Sequence, residues 1–213
     1  MVENQENVFY YVSVMNESYP QPGMKPGQEE GILKGMYLLA EGEKDLPHRV
    51  QLLGSGTITH EMLSAVELLK NDWKVAADIW SVTSFTLVAR EGNDIERWNM
   101  MHPGEEPKVP YATQCLKDTK GPVIASTDYI RLFAEQIRAY IPEGRSYTVL
   151  GTDGFGRSDT RANLRNFFEI DRYYVTVAAL EALARSGDIP AETVSKAIEK
   201  YGINREKPNP VDL

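Results

Sequence analysis

Residues 50–82 read VQLLGSGTITHEMLSAVELLKNDWKVAADIWSV, and their order decides the fold. Val50–Leu53 is a short apolar run that reads as a strand and breaks into the turn Gly54-Ser55-Gly56. Beyond the turn, Thr59–Lys70 carries Met62, Val66 and Leu69 at i, i+4 and i+7, the spacing of one helix face. Val75–Val82 returns to an apolar, strand-like run. A strand, a helix and a strand in series are the unit of an α/β fold.

The same alternation extends outward. Upstream, Val8–Val14 is β-branched and aromatic and reads as a strand, Tyr19–Gly27 is a proline-rich loop, and Glu29–Leu39 reads as a helix with Ile32, Met36 and Leu39 on one face. Downstream, Thr83–Asn99 suggests one or two short helical pieces, and Met100–Thr119 reads as irregular. Pro122–Ala125 is a strand, and Thr127 or Asp128 then caps an expected helix with Ile130, Phe133, Ile137 and Tyr140 on one face. Tyr147–Leu150 is the last expected strand. Asp171 can cap a buried helix over Arg172–Ser186 that stops at Gly187, and Pro190 opens a final helix ending at Gly202. The expected fold is α/β: a three-layer sandwich with a mostly parallel sheet, in one domain over residues 1–213, with 1–7 outside the ordered part or appended.

Composition narrows the function classes. Hydrophobic residues make up 42% and charged residues 25% of the 213, as in soluble globular proteins. A net charge of -8 argues against nucleic acid or an anionic membrane surface as the main partner. Cys115 is the single cysteine, which excludes an intrachain disulfide and fits a reducing, cytoplasmic home. The opening MVENQENVFYYVSV lacks the basic-then-apolar form of a secretory signal, and no apolar run reaches the roughly 18 residues of a membrane span.

Most candidate motifs have a plain structural reading. Gly54-Ser55-Gly56 resembles the start of a dinucleotide fingerprint, but Thr59 stands where the third glycine is needed, and Asp78 lies inside a strand. No phosphate-binding P-loop and no nucleophile elbow is present. His48, His60 and His102 lack metal-ligand spacing, and Cys115 reads as a small buried hydrophobe.

One stretch resists that treatment: GTDGFGRSDTRANLR at 151–165. Asp153-Gly154 is a turn signal, and Ser158 or Asp159 can cap a following helix. Arg157, Arg161 and Arg165 are spaced by four and share a face, near a helix start that favours carboxylates. Three readings stand: local pairing with Asp153, Asp159 or Glu169; a subunit or domain interface; or a small-anion site. The candidate interface or anion residues are Gly154, Gly156, Arg157, Ser158 and Arg161.

Six segments, FYYVSVMNESY (9–19), EEGILKGMYLL (29–39), VQLLGSG (50–56), SVTSFTLVAREGNDIERWNMMHP (81–103), ASTDYIRLFAEQIRAYIP (125–142) and VLGTDGFGRSD (149–159), closely resemble one family in this order. It is the homodimeric thiamine-diphosphate-dependent dehydrogenase component of the bacterial pyruvate dehydrogenase complex, in its C-terminal third. The resemblance implies a transketolase C-terminal-like fold, with about five mostly parallel strands and one antiparallel strand. It implies a parent that decarboxylates pyruvate with thiamine diphosphate and magnesium, then reductively acetylates a lipoyl group on an acetyltransferase core. The family's G-D-G, followed roughly 30 residues on by Asn, holds the magnesium and diphosphate. That set is absent here, as is the activating glutamate of a further domain, so no catalytic, cofactor-binding or metal residue is carried over. The expected role is assembly, with the thiamine-binding domains and a second copy of the chain as partners.

Overall fold

The computed structural model describes residues 2–9 and 17–213. In chain order the elements are α1 (Glu29–Lys34), β1 (Tyr37–Ala40), β2 (His48–Gly54), α2 (Ile58–Trp73), β3 (Val75–Ser81), α3 (Phe85–Met101) and α4 (Tyr111–Leu116). There follow β4 (Val123–Ser126), α5 (Leu132–Glu135), β5 (Tyr147–Leu150), α6 (Arg161–Phe167), α7 (Arg172–Arg185) and α8 (Ala191–Lys200). The five strands form one sheet in the order β1-β3-β2-β4-β5. β3, β2, β4 and β5 are parallel, and β1 runs antiparallel along β3.

The sheet is apolar on both faces because both are covered. Successive residues of a strand point to opposite sides. Leu53, Val123, Ala125 and Val149 therefore pack with Phe85, Val88, Leu116, Ile137 and Tyr140. Their neighbours Leu52 and Ile124 face the other way, onto Met62 and Leu69 of α2 and Val175, Leu180 and Leu183 of α7. Each fully buried Leu, Ile or Met there contributes roughly 1.5–3 kcal/mol. The result is the expected α/β/α sandwich. No helix among the described residues is long and apolar enough to cross a membrane.

Four local expectations change. The helix expected over 29–39 stops at Lys34, where Gly35 takes φ 95° and its N–H turns back to the Ile32 carbonyl. Leu39 then lies in β1, because the free edge of β3 offers hydrogen bonds that a lone helix turn cannot match. Residues 83–99 fall mostly in one continuous helix, α3, capped by Ser84, whose hydroxyl accepts from Leu87 N at 3.1 Å. The proline-containing stretch after it holds a short helix, α4, entered at Pro110. The helix expected from 128 to 140 is broken into α5 and a 3-10 turn at Arg138–Tyr140. Its first turn is diverted instead to residues 152–153: Arg131 N donates to Asp153 Oδ1 at 2.8 Å, and Thr152 N donates to the Tyr129 carbonyl at 2.9 Å. Ile130 and Phe133 stay exposed while Ile137 and Tyr140 enter the core. The strand expected at Val8–Val14 falls largely outside the described residues.

Asp171 caps α7 as expected, accepting from Tyr173 N at 2.9 Å and Tyr174 N at 3.1 Å. The C-terminal ends of the parallel strands meet at Gly54, Ser126 and Leu150, which are paired in register. From β2 the chain moves to one side to make β3, then crosses to the other side to make β4. That reversal opens a crevice between the β2 and β4 ends, the usual ligand position of open α/β sheets.

Candidate functional site

A cavity of about 280 Å³ lies at this reversal. Thr57 comes to it from the β2–α2 turn, Asp128 from the β4–α5 turn, and Thr152, Arg157, Arg161 and Arg165 from the stretch that follows β5. The 151–165 segment reaches the crevice because β5 delivers it there and Asp153 ties it to Arg131.

The candidate residues divide. Gly156, Arg157 and Arg161 line the cavity. Gly154 does not: with φ 97° it turns the backbone against Pro210 and Val211 near the C-terminus. Ser158 also stands outside the lining and is exposed. The cap of α6 is Thr160, one residue beyond the expected Ser158 or Asp159, and its hydroxyl accepts from Asn163 N at 3.3 Å. Because α6 begins only at Arg161, Arg157 lies on the loop before it rather than on a shared helical row.

The charges also pair differently from the local expectation. Asp153 binds Arg131, Glu169 binds Lys207 at 3.3 Å, and Asp159 accepts from Thr160 N and Asn163 Nδ2. Arg161 meets Glu17 at 2.6 Å, and the Tyr19 hydroxyl donates to the same carboxylate at 2.7 Å. Tyr19 also stacks on His60, with ring centroids 5.3 Å apart. The guanidinium of Arg157 sits over the Phe167 ring, 5.6 Å from its centroid.

Glu61, in the first turn of α2, is the organising group. Its carboxylate is 5% exposed and takes Arg165 Nη1 at 2.9 Å, Arg172 Nε at 2.9 Å, Arg172 Nη2 at 3.1 Å and the Arg172 backbone N–H at 3.0 Å. Burial opposes its ionisation, but the hydrogen bonds and positive charge of Arg172, with help from Arg165, outweigh that and hold its pKa below the ordinary value. Nothing in the sequence alone marks Glu61 for this role. Its signal was weak, a lone acid in a helix first turn, because both partners lie more than a hundred residues on.

Other candidates fall away on geometry. Among the described residues no three His, Cys, Asp or Glu gather as metal ligands. The crevice presents three guanidinium groups and the Asp128 carboxylate, a donor set that does not fit the several oxygen ligands of magnesium. His102 stacks on Trp98 at 4.3 Å. Cys115 is partly buried, and burial raises its thiol pKa, the opposite of a nucleophile's environment. Asp78 accepts from Gly42 N and Gln51 Nε2 within the sheet, away from the crevice.

Sequence relatives cover the whole chain. The pyruvate dehydrogenase E1 component of Pseudomonas aeruginosa is 58% identical over 212 residues, covering 100% of this chain and 24% of that protein. The E1 component of Escherichia coli is 54% identical over 210 residues, covering 98% of this chain and 23% of that protein. The chain thus spans about a quarter of the length of these curated relatives. Transketolase from Leishmania mexicana aligns with 73% of this chain and 19% of its own, at 19% identity and a TM-score of 0.47. The model of the transketolase-like TK C-terminal domain matches residues 35–171, more than half of the chain, and the chain belongs to that family.

Proposed function

We propose that the chain is the C-terminal domain of a pyruvate dehydrogenase E1 component and that its task is assembly. The observation that carries this reading is full coverage of the chain, at 58% identity, by only 24% of such a component. In the parent, thiamine diphosphate with magnesium would supply the decarboxylation of pyruvate, from domains outside these residues. The oxidoreductase activity, the reductive acetylation of a lipoyl group and the contact with an acetyltransferase core belong to that parent, in the cytoplasm.

This chain's own contribution is a surface. Tyr129, Leu132 and Phe155 are 60%, 65% and 78% exposed along the strand-end rim, beside the arginines. Aromatic and apolar residues ringed by Arg have the composition of an interface core with a polar rim. The neighbours would be the thiamine-binding domains and the second copy of a homodimer.

Replacing Leu132 and Phe155 together by glutamate in the full-length component should weaken its dimer by at least about tenfold, since desolvated apolar anchors dominate such interfaces. Sedimentation across a concentration series reads this, with pyruvate-dependent turnover falling in parallel. The same pair in the 213-residue chain should leave its thermal midpoint unchanged. A full-length variant that stays dimeric and active removes the rim from the interface. Titrating thiamine diphosphate with magnesium into this chain should give no saturable heat, and micromolar binding would overturn the assembly reading.

A further inference from the structure

The crevice at the β2–β4 reversal is built with more chemistry than a packing surface requires. Arg157, Arg161 and Arg165 line it together with the hydroxyl-bearing Thr57 and Thr152, and Arg165 is committed to Glu61. The guanidinium of Arg157 rests on an aromatic face and keeps its donors for other acceptors. Arg161 already meets a carboxylate from outside the lining, that of Glu17. Glu17 is 49% exposed and Arg161 36% exposed, so water screens that pair and Glu17 is readily exchanged for another anion. Asp128 is the one acid in the lining. Its carboxylate receives only a long bond from Thr57 Oγ1, at 3.5 Å, which leaves it free to accept from a ligand O–H. The adjacent end of β4 holds Ser126 Oγ, the one buried hydroxyl among the described residues with no hydrogen-bond partner.

We infer that this crevice is a binding site for a small phosphorylated hydroxy compound. The phosphate is taken by Arg157 and Arg161, whose planar forks match its oxygens. Glu17 is the displaceable internal stand-in for it. Asp128 repels a second anion and accepts a hydroxyl, which selects a hydroxylated phosphate ester over a bare dianion. A cavity of about 280 Å³ suits a ligand of metabolite size. The inference rests on the crevice alone, so its failure leaves the dehydrogenase reading standing, and the reverse holds too.

The test is calorimetry on the 213-residue chain at fixed ionic strength, in buffer free of phosphate and sulfate. The probes are glycerol 3-phosphate, inorganic phosphate and glycerol. Glycerol 3-phosphate should bind with a Kd below about 1 mM, inorganic phosphate several-fold more weakly, and glycerol not at all. Arg157→Ala should weaken glycerol 3-phosphate by about tenfold or more without moving the thermal midpoint of the ligand-free chain. Glu17→Gln should tighten it, and Asp128→Ala, which removes the acceptor, should erase its advantage over inorganic phosphate. No saturable heat, equal affinity for the two phosphates, or an equal loss from the distant control Arg185→Ala would each overturn the proposal.

Discussion

Replacing Glu61 by alanine should destabilise the chain by about 4 kcal/mol, the cost of stripping one partner from a buried charge cluster. The carboxylate is 5% exposed and Arg165 16% exposed, so removing it leaves Arg165 buried with only a long bond to the Tyr19 hydroxyl, at 3.4 Å. Arg172, 41% exposed, can return to water, which keeps the cost below the top of the range. For a chain of this size the thermal midpoint should fall by roughly 8–16 °C. Glu61→Gln should cost less, because the amide oxygen still accepts from Arg172 while the charge is gone.

The same carboxylate predicts a pH dependence with a definite sign. Its folded pKa lies below the ordinary 4.5, so the native state binds a proton less readily than the unfolded chain. Its contribution is therefore fully present above about pH 4.5 and is lost as the pH falls through the lowered folded value. Urea denaturation of wild type and Glu61→Gln at a series of pH values reads this directly. The gap between them should be widest near neutrality and close in acid. A gap that stays constant down to pH 3 would mean that Glu61 acts through shape alone.

Asp78→Ala should cost about 3 kcal/mol, again by leaving a cation short of its partner within the sheet. Asp78 is 10% exposed and pairs with Arg49, which is 21% exposed. It also accepts from Gly42 N at 2.8 Å and from Gln51 Nε2 at 2.6 Å. Gln51 in turn accepts from Trp80 Nε1 at 2.8 Å and donates to the Lys120 carbonyl at 3.1 Å. The network ties the exit of β1 to the two central strands and to the entry of β4. Asp78→Asn keeps an acceptor and should recover part of the loss. Denaturant midpoints followed by tryptophan fluorescence measure both, with an unchanged m-value expected for a native-state effect. A loss under about 1 kcal/mol would show that the network carries no net stability.

What the sequence determined by itself was local or carried by resemblance. The strands around Val50–Leu53, Val75–Ser81, Val123–Ala125 and Tyr147–Leu150 were legible, because short apolar runs bounded by turn residues have few other uses. So was the start of α7 at Asp171, since a cap acts on the two residues beside it. The long motifs ERWNMMHP and LGTDGFGRSD pointed to the family before any contact was known. Only the tertiary structure decided the rest. Leu39 completes a helix-like spacing with Ile32 and Met36, yet the unpaired edge of β3 claims Tyr37–Ala40 as a strand. The turn before α5 is set by Asp153, 22 residues beyond Arg131. Arg165 finds its carboxylate at Glu61, 104 residues away. Periodicity reports which face of a segment is apolar, whereas a long charged side chain takes whichever partner the packed layers bring within about 4 Å. The arginine spacing was therefore visible in the chain, but its pairing, and the crevice it lines, exist only once the sheet has reversed direction across β2.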